Sequence, residues 1–164
     1  MEEQLKILKI MSEIKGRTEM NDFAKAVGLT PKQAMEQIEE LAKQKIVRKT
    51  NAGYAITKKG KAILKAQVTV PENEGFLFYL ELGKPAGFTA KSITEFYKVV
   101  GQVDVASLDF HLYRGDFENW VISAVNEASL AEELAQMKKE GIRGEPLRQK
   151  LTATLKGRYY IENA

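Results

Sequence analysis

The sequence of 164 residues contains no cysteine and one histidine. The absence of cysteine excludes disulfide bonds and cysteine-ligated zinc or iron–sulfur sites, and it fits a reducing compartment. A single histidine argues against a His-based metal site within one subunit. We therefore expect no metal site. The sequence also has no phosphate-binding glycine loop, and we predict no other cofactor.

Long hydrophobic runs are also absent. No apolar stretch approaches the roughly 20 residues needed to span a bilayer. The chain begins Met-Glu-Glu-Gln, which lacks the basic start and apolar core of a signal peptide. A hydrophobic content of 44% and a charged content of 29% are typical of a soluble globular chain. We predict a cytoplasmic protein that has no membrane partner.

Acidic residues are missing from one long stretch, between Leu41 and Pro71. That stretch carries eight basic residues: Lys43, Lys45, Arg48, Lys49, Lys58, Lys59, Lys61 and Lys65. Residues 1–68 hold 14 basic and 8 acidic residues, and residues 69–164 hold 11 basic and 14 acidic residues. The asymmetry suggests two modules with different partners, and the positive field of the first would attract a polyanion.

Apolar spacing predicts three helices in the first part of the basic module. The first runs from about Glu2 to Ile14 and ends at Gly16. Asn21 is expected to cap the second helix, which ends at Gly28. Thr30 followed by Pro31 begins the third helix. Its expected buried residues are Ala34, Ile38, Leu41 and Met35.

A β-hairpin and a fourth helix complete the module. The strands are expected at Ile46–Lys49 and Tyr54–Thr57, with a turn at 51–53 between them. Thr57 is a suitable cap for a helix from about Lys58 to Ala66. Its expected buried residues are Ala62, Ile63 and Leu64.

This order of elements resembles the winged helix-turn-helix domain of prokaryotic, and especially archaeal, regulators. The run Tyr54–Leu64 is similar to their aromatic-x-Leu-Thr-x-x-Gly-x-x-x-Leu segment at the second wing strand. Glu39–Val47 resembles their L-x-x-x-G-x-V/I passage from helix to wing, with Gln44 where glycine is common. The resemblance implies that the third helix enters the major groove and that the hairpin contacts phosphates or the minor groove.

The predicted DNA-binding residues belong to two groups. On the third helix, the residues that could reach bases or phosphates are Lys32, Gln33 and Gln37. The cations that flank the hairpin and suit phosphate contacts are Arg48, Lys49, Lys58, Lys59 and Lys61.

Three acidic residues on the third helix leave alternatives open. Glu36, Glu39 and Glu40 would repel phosphates if they faced DNA. They favour a second hypothesis, that of a protein–protein adaptor in a transcription, replication or repair complex. The basic stretch could also be a solvated surface of a charge-rich protein.

The second module, residues 76–164, follows a linker at 69–75 and is predicted to be mostly helical with one apolar strand. Gly83 and Pro85 end that strand, Phe76–Leu82, which could pair with 68–70 or with another subunit. The expected helices run from Thr89 to Val100, from Asp104 or Ser107 to Tyr113, from Asp116 onward, from Ser129 to Lys139, and from Glu145 to Tyr159.

The pattern of this module resembles an uncharacterised, mainly archaeal domain. In that domain a histidine, here His111, lies a few residues before an Asp-Phe-x-x-Trp-Ile/Val helix, here Asp116–Val121, and a Leu-Ala helix follows, here at Leu130. The resemblance implies no activity.

One polar cluster in the second module could carry chemistry: His111, Arg114, Asp116 and Trp120. His111 could act as a base or a pH switch. The simpler interpretation makes Asp116 a helix N-cap and His111 a packed, hydrogen-bonded residue. The acidic residues Asp104, Asp109, Asp116 and Glu118 lie on different helical faces, which does not suit a metal-dependent nuclease. We expect no catalytic and no metal-binding residues, and no enzyme; an enzyme centred on His111 is the weaker hypothesis.

The sequence therefore predicts a mainly α protein with a small β component: a winged helix-turn-helix at 1–68, followed by a mostly helical second domain. The favoured function is DNA binding by a transcription regulator, with double-stranded DNA as its partner. The second domain would serve sensing, dimerisation or recruitment of a protein partner, and a homodimer is expected.

Overall fold

A computed structural model describes residues 2–14 and 18–162. The chain forms two compact units, Met1–Lys65 and Ala66–Ala164. Across the described residues the protein is mainly helical, and each unit holds a two-stranded antiparallel sheet. The predicted class, mainly α with a small β component, is confirmed. No helix in these two ranges is both long and apolar enough to cross a bilayer.

The first unit has the predicted order of three helices, a hairpin and a helix. Its elements are α1 (Glu2–Glu13), α2 (Met20–Val27), α3 (Pro31–Lys43), β1 (Val47–Thr50), β2 (Gly53–Ile56) and α4 (Lys58–Gln67). The strands pair with Val47 opposite Ile56 and Thr50 opposite Gly53. Gly16, the expected end of the first helix, lies outside the described residues.

The cap predicted for α3 is confirmed, and the one for α2 is wrong. Thr30 Oγ1 accepts from the Gln33 N–H, and Gln33 Oε1 accepts from the Thr30 N–H, each at 3.1 Å. Helix α2 instead begins after Glu19, so that Asn21 lies inside its first turn. The earlier start brings Met20 into the helix, where it packs against the core.

The core of the first unit is built from α1, α2, α3 and the start of the hairpin, and half-buried Ile63 and Leu64 of α4 pack against it. Its buried residues are Ile7, Leu8, Phe23, Ala24, Val27, Ala34, Ile38, Leu41, Ile46 and Val47. On α3 the expected Ala34, Ile38 and Leu41 are buried, whereas Met35 is half-buried. On α4 the burial of Ala62, Ile63 and Leu64 was overestimated, because all three are half-buried.

Helix α4 approaches the hairpin closely at Gly60. The Thr57 N–H donates to Ile46 O at 3.0 Å, and Thr57 Oγ1 lies 2.8 Å from the same oxygen and 3.2 Å from the Gly60 nitrogen. A Cβ at residue 60 would overlap Ile46 O and lie 2.6 Å from Ile56 Cγ2. The Thr-x-x-Gly run is thus a steric and hydrogen-bonding requirement of this junction.

The glycine-like position after α3 is Lys45 rather than Gln44. Gln44 has right-handed helical geometry with φ of −80°, whereas Lys45 has φ of 63°. The left-handed region suits glycine, and a lysine there carries backbone strain. The resemblance put the glycine position at Gln44, whereas the left-handed backbone lies one residue later, at Lys45.

The second unit begins with a hairpin and continues as helices. Its elements are a 3₁₀ turn (Glu72–Glu74), β3 (Phe76–Glu81), β4 (Lys84–Ala90), α5 (Ile93–Val100), α6 (Val105–Arg114), α7 (Asp116–Trp120), a π-helical turn (Val121–Val125), α8 (Ala128–Glu140) and α9 (Gly144–Tyr159). The helices predicted near α6, α8 and α9 are confirmed within a few residues.

The prediction of a single strand in this unit was wrong. Strand β3 pairs with β4, with Phe76 opposite Ala90, and not with 68–70. Gly83 adopts φ of 75° and reverses the chain. Pro85 does not end the sheet, since it lies opposite Tyr79 between two irregular ladder positions, where a missing N–H is tolerated.

The start of α5 also differs from the prediction. Thr89 lies in β4, and the helix is capped instead by Ser92, whose Oγ accepts from the Glu95 N–H at 3.1 Å. The alternation of half-buried Ala86, half-buried Phe88 and buried Ala90 with exposed neighbours marks this segment as a strand.

Aromatic rings fill the core of the second unit. Phe76, Phe78, Phe96, Phe117 and Trp120 pack against one another, with Phe76 and Phe78 centroids 4.8 Å apart. Buried leucines from α8 and α9 complete this core, at Leu130, Leu134, Leu147, Leu151 and Leu155.

The segment 69–75 is bonded to the second unit. The Val70 N–H donates to Lys91 O at 2.7 Å, and Glu72 forms an ion pair with Lys91. The Trp120 indole N–H donates to Glu74 O at 2.7 Å. These three contacts leave the segment little of the freedom expected of a linker.

We expect Gly60→Ala to lower the free energy of unfolding by about 1–3 kcal/mol, because the added methyl group overlaps the Ile46 carbonyl. The matched control is Gly157→Ala on α9, where a Cβ would meet nothing within 4 Å. That change should stabilise the protein by about 0.5–1 kcal/mol. Urea unfolding followed by circular dichroism measures both, and equal effects would contradict the steric explanation.

Candidate functional site

Exposed cations lie on the β1–β2 hairpin and on the first turn of α4. Arg48 and Lys49 are exposed on β1, and Lys58 and Lys61 are exposed on α4. The residues opposite Arg48 and Lys49 on β2 are Ala55 and Tyr54, so no carboxylate faces them across the ladder. Thr57 joins the start of α4 to the base of the hairpin, which places both sets of cations on one connected structure.

These charges are not neutralised within the described parts of the chain. Ion pairs in residues 2–14 and 18–162 involve other cations, such as Lys91, Arg148 and Arg158. Five predicted DNA-binding cations make no such pair there: Lys32, Arg48, Lys49, Lys58 and Lys61. Their charge is therefore directed to solvent or to a bound anion.

The start of α4 is more basic than helix stability favours. Its first turn holds lysines and no acidic residue. The helix macrodipole is positive at this end, so each cation there lowers helix stability by a few tenths of a kcal/mol, up to about 1 kcal/mol. The same arrangement adds the dipole to the lysine charges and strengthens the local positive potential.

Lys59 has a structural contact that the other hairpin cations lack. Its side chain is half-buried, and Nζ donates to Gln44 O at 3.0 Å. Gln44 is the C-terminal cap of α3, where the carbonyl end of the helix attracts a cation. Lys59 therefore links α4 to α3, and this contact competes with any contact to phosphate.

The exposed face of α3 is less basic than the hairpin. At about 100° per residue, the side of α3 opposite its buried face carries two exposed lysines, Lys32 and Lys43, and three exposed carboxylates. Those carboxylates are Glu36, Glu39 and Glu40.

The two predicted glutamines are poorly placed for reading bases. Gln33 is exposed, but its amide oxygen accepts from the Thr30 N–H in the capping box. Gln37 is half-buried beside the core face of α3. Of the three residues predicted on this helix, Lys32 is exposed and forms no ion pair with any described residue.

The second polar cluster centres on buried His111 in α6. Its Nδ1 lies 2.8 Å from Asp116 Oδ2, and its Nε2 accepts from the Tyr79 N–H at 2.8 Å. Because a backbone N–H can only donate, Nε2 must be unprotonated and Nδ1 must carry the hydrogen. His111 is thus a packed residue with both ring nitrogens occupied.

Asp116 was expected to cap a helix, and this expectation was wrong. Gly115 holds the N-cap position of α7, with φ of 81°, and the carboxylate turns back to α6. Asp116 Oδ2 contacts both His111 and Arg114 Nε, the latter at 3.2 Å. Trp120 belongs to a different contact, since its N–H reaches Glu74.

Burial decides the charge state of His111. Desolvation lowers the pKa of His111 from its usual value, and it outweighs the hydrogen bond and the charge of Asp116, which raise this pKa. The ring is therefore neutral at neutral pH. Protonation of Nε2 would set its N–H against that of Tyr79 and break the link between α6 and β3.

A cleft beside this cluster was not predicted from the sequence. It has a volume of about 490 Å³ and lies among β3, its turn to β4, α6 and α7. Leu77, Leu82, Phe110, Arg114 and Asp116 line part of it. It was missed because the hairpin that forms one wall was read as a lone strand followed by a helix.

The four acidic residues considered for a metal have separate partners. Asp104 caps α6, Asp109 accepts from the Gly144 N–H, Asp116 binds His111, and Glu118 lies 3.6 Å from Lys138 Nζ. In the described ranges no three His, Asp or Glu side chains gather at a site that could hold a metal.

Neither protein-family models, nor curated proteins, nor solved structures gave a match to this chain. The function is therefore inferred from the geometry above.

We expect the stability of the second unit to fall as pH is lowered below about 6.5, the ordinary pKa of histidine. The unfolded chain takes up a proton there, whereas folded His111, with its lowered pKa, does not. Unfolding then becomes easier by up to about 1.4 kcal/mol per pH unit. Fluorescence of Trp120, the single tryptophan, reports on this unit during urea unfolding.

The control for this titration is His111→Gln, which removes the titrating ring. We expect it to cost about 1–3 kcal/mol at pH 7.5 through the lost Asp116 contact. The difference in the free energy of unfolding between wild type and His111→Gln should then become smaller toward pH 5.5. A gap independent of pH would contradict the assignment of a neutral His111.

Proposed function

We propose that the first unit is a winged helix-turn-helix that binds double-stranded DNA through its hairpin and the start of α4. The observation that carries the proposal is a set of exposed cations that form no ion pair with any described residue, at Arg48, Lys49, Lys58 and Lys61. Cations of this kind bind phosphates and release counterions from DNA, which makes binding strongly salt-dependent.

The proposed contacts position the protein more than they read sequence. Phosphate contacts carry no direct base information. The exposed face of α3 holds Glu36, Glu39 and Glu40, and Gln33 is engaged in the capping box. We infer binding dominated by the hairpin, with Lys32 as the predicted contact that α3 contributes.

The strained backbone of Lys45 also supports this function. Glycine would relieve the left-handed geometry at this position, yet the chain has a lysine there, one of the eight cations of the acid-free stretch. Backbone strain of this kind is concentrated at functional sites, which favours a functional role for the Lys45 side chain.

Within this proposal the protein is a transcription regulator that acts in the cytoplasm. The second unit would sense a ligand, form a homodimer or recruit a protein partner. A homodimer would double the number of phosphate contacts and therefore steepen the salt dependence.

The first test is a salt titration of binding to a labelled random-sequence duplex, followed by fluorescence anisotropy. Wild type is compared with Lys58→Ala/Lys61→Ala. We expect the slope of log affinity against log salt to fall by about 2 in the variant, close to one for each lost phosphate contact. Lys59 is left intact because its contact with Gln44 holds α3 and α4 together.

The matched control is Lys150→Ala/Lys156→Ala, which removes two exposed lysines from α9 with the same change in net charge. Its slope should equal that of wild type. An equal fall in the salt slope of both variants would mean a non-specific effect of net charge. An absence of binding by wild type at low salt would overturn the proposal.

Lys45→Gly removes both the backbone strain and the charge, and two measurements separate these effects. We expect it to stabilise the protein by up to about 1 kcal/mol, because glycine adopts positive φ without the penalty of a side chain. The same change should reduce the salt slope by about 1 if Lys45 contacts a phosphate.

Gln44→Gly is the control for that variant. Residue 44 has right-handed geometry, so glycine there should destabilise the protein by about 1 kcal/mol and leave the salt slope unchanged. A Lys45→Gly protein that is less stable than wild type would contradict the role assigned to the left-handed backbone.

A protein–protein adaptor is the second candidate, favoured by the exposed carboxylates of α3. It predicts a basic or polar partner bound at Glu36, Glu39 and Glu40. The discriminating experiment is a pull-down after nuclease treatment, with Glu36→Gln/Glu39→Gln as the variant. A partner that survives nuclease and is lost in the variant would favour the adaptor.

A further inference from the structure

The cleft beside β3 combines an apolar wall with one oppositely charged pair. Leu77 and Leu82 are large apolar residues that remain 56% and 76% exposed, and both line the cleft. Arg114 and Asp116 line it from the other side. Its volume of about 490 Å³ lies within the range of small-molecule sites, about 300–1,000 Å³.

The guanidinium of Arg114 is held in place but retains free donors. Its Nε contacts Asp116 Oδ2, and its Cζ lies 4.8 Å from the centroid of the Phe110 ring. These contacts use one edge and one face of the group. The side chain remains 46% exposed, which leaves the terminal nitrogens to bind a carboxylate in the cleft.

The carboxylate of Asp116 is similarly half-used. Its contacts with the described residues His111 and Arg114 are both made by Oδ2. The side chain is 28% exposed, so Oδ1 is left to accept from a donor in the cleft. His111 positions this group through its neutral Nδ1–H.

The paired charges select the kind of ligand. A simple carboxylate bound to Arg114 would lie close to the carboxylate of Asp116 and be repelled, and a simple amine would be repelled by Arg114 in the same way. A zwitterion whose ammonium and carboxylate groups are attached to the same carbon matches this pair, because Arg114 Nε and Asp116 Oδ2 lie 3.2 Å apart. The exposed leucines favour an apolar body.

We propose that this cleft binds an α-amino acid with an apolar side chain. Its carboxylate contacts Arg114, its ammonium group contacts Asp116, and its side chain covers Leu77 and Leu82. The proposal stands on the second unit alone and does not depend on DNA binding by the first.

The test is isothermal titration calorimetry of the full chain with L-leucine and L-phenylalanine, each to about 10 mM, above the common range for metabolite sites. We expect saturable binding of at least one. The analogues 4-methylpentanoate and isoamylamine, which each keep one charge of leucine, should bind at least about 10-fold more weakly, since each lacks one charged hydrogen bond.

Two variants and their controls locate the site. Arg114→Gln should weaken binding about 10-fold or more, whereas Arg143→Gln, an exposed arginine over the Tyr113 ring, should not. Leu82→Ser should also weaken binding, whereas Ile122→Ser, which is 56% exposed outside the cleft, should not. Melting temperatures check that all four proteins are folded.

Three outcomes would overturn the proposal. The first is the absence of binding by both amino acids. The second is equal binding by 4-methylpentanoate or isoamylamine, which would exclude recognition of both charges. The third is unchanged affinity in Arg114→Gln or in Leu82→Ser, which would place any binding elsewhere.

Discussion

The second unit depends on the two hydrogen bonds made by the neutral imidazole of His111. It accepts from the backbone of β3 at Tyr79 and donates to Asp116 in α7, so that one ring joins three elements. The donating N–H belongs to Tyr79, which lies opposite Pro85 between two irregularities of the hairpin ladder. The imidazole also fixes the carboxylate that holds Arg114 at the mouth of the cleft. Fold and candidate ligand site therefore share a single buried group.

The first unit has a different physical character. Its core is small and apolar, and its surface charge is uneven: cations gather on the hairpin and the start of α4, and carboxylates gather on α3. Two features there oppose stability, namely lysines at the positive end of a helix and a lysine with φ of 63°. Both maintain positive potential in the same region, which is the physical reason for proposing a polyanion as its partner.

Local signals in the sequence predicted much of this fold. Thr30 and Pro31 predicted the start of α3, and the leucines of α9 predicted its buried face, because capping and helical spacing act over a few residues. The hairpin β3–β4 was missed because Pro85 is normally a strand breaker and is tolerated here by a ladder irregularity. The cations of the basic hairpin were selected from their charge and from the predicted turn between two strands, whereas the Tyr79–His111 contact joins residues 32 positions apart and leaves no local pattern.

The bonds made by segment 69–75 bear on how the protein could be dissected. A fragment that began at Phe76 would lose three hydrogen-bond partners. They are the Glu74 carbonyl, which accepts from the Trp120 N–H, the Val70 N–H, which donates to Lys91 O, and the Ala66 carbonyl, which accepts from Thr94 Oγ1. Trp120, Lys91 and Thr94 would each be left with a polar group that has lost its hydrogen-bond partner. An autonomous second unit must therefore begin at Ala66, within the last turn of α4, so the natural boundary for expression lies inside a helix and not in the irregular segment that follows it.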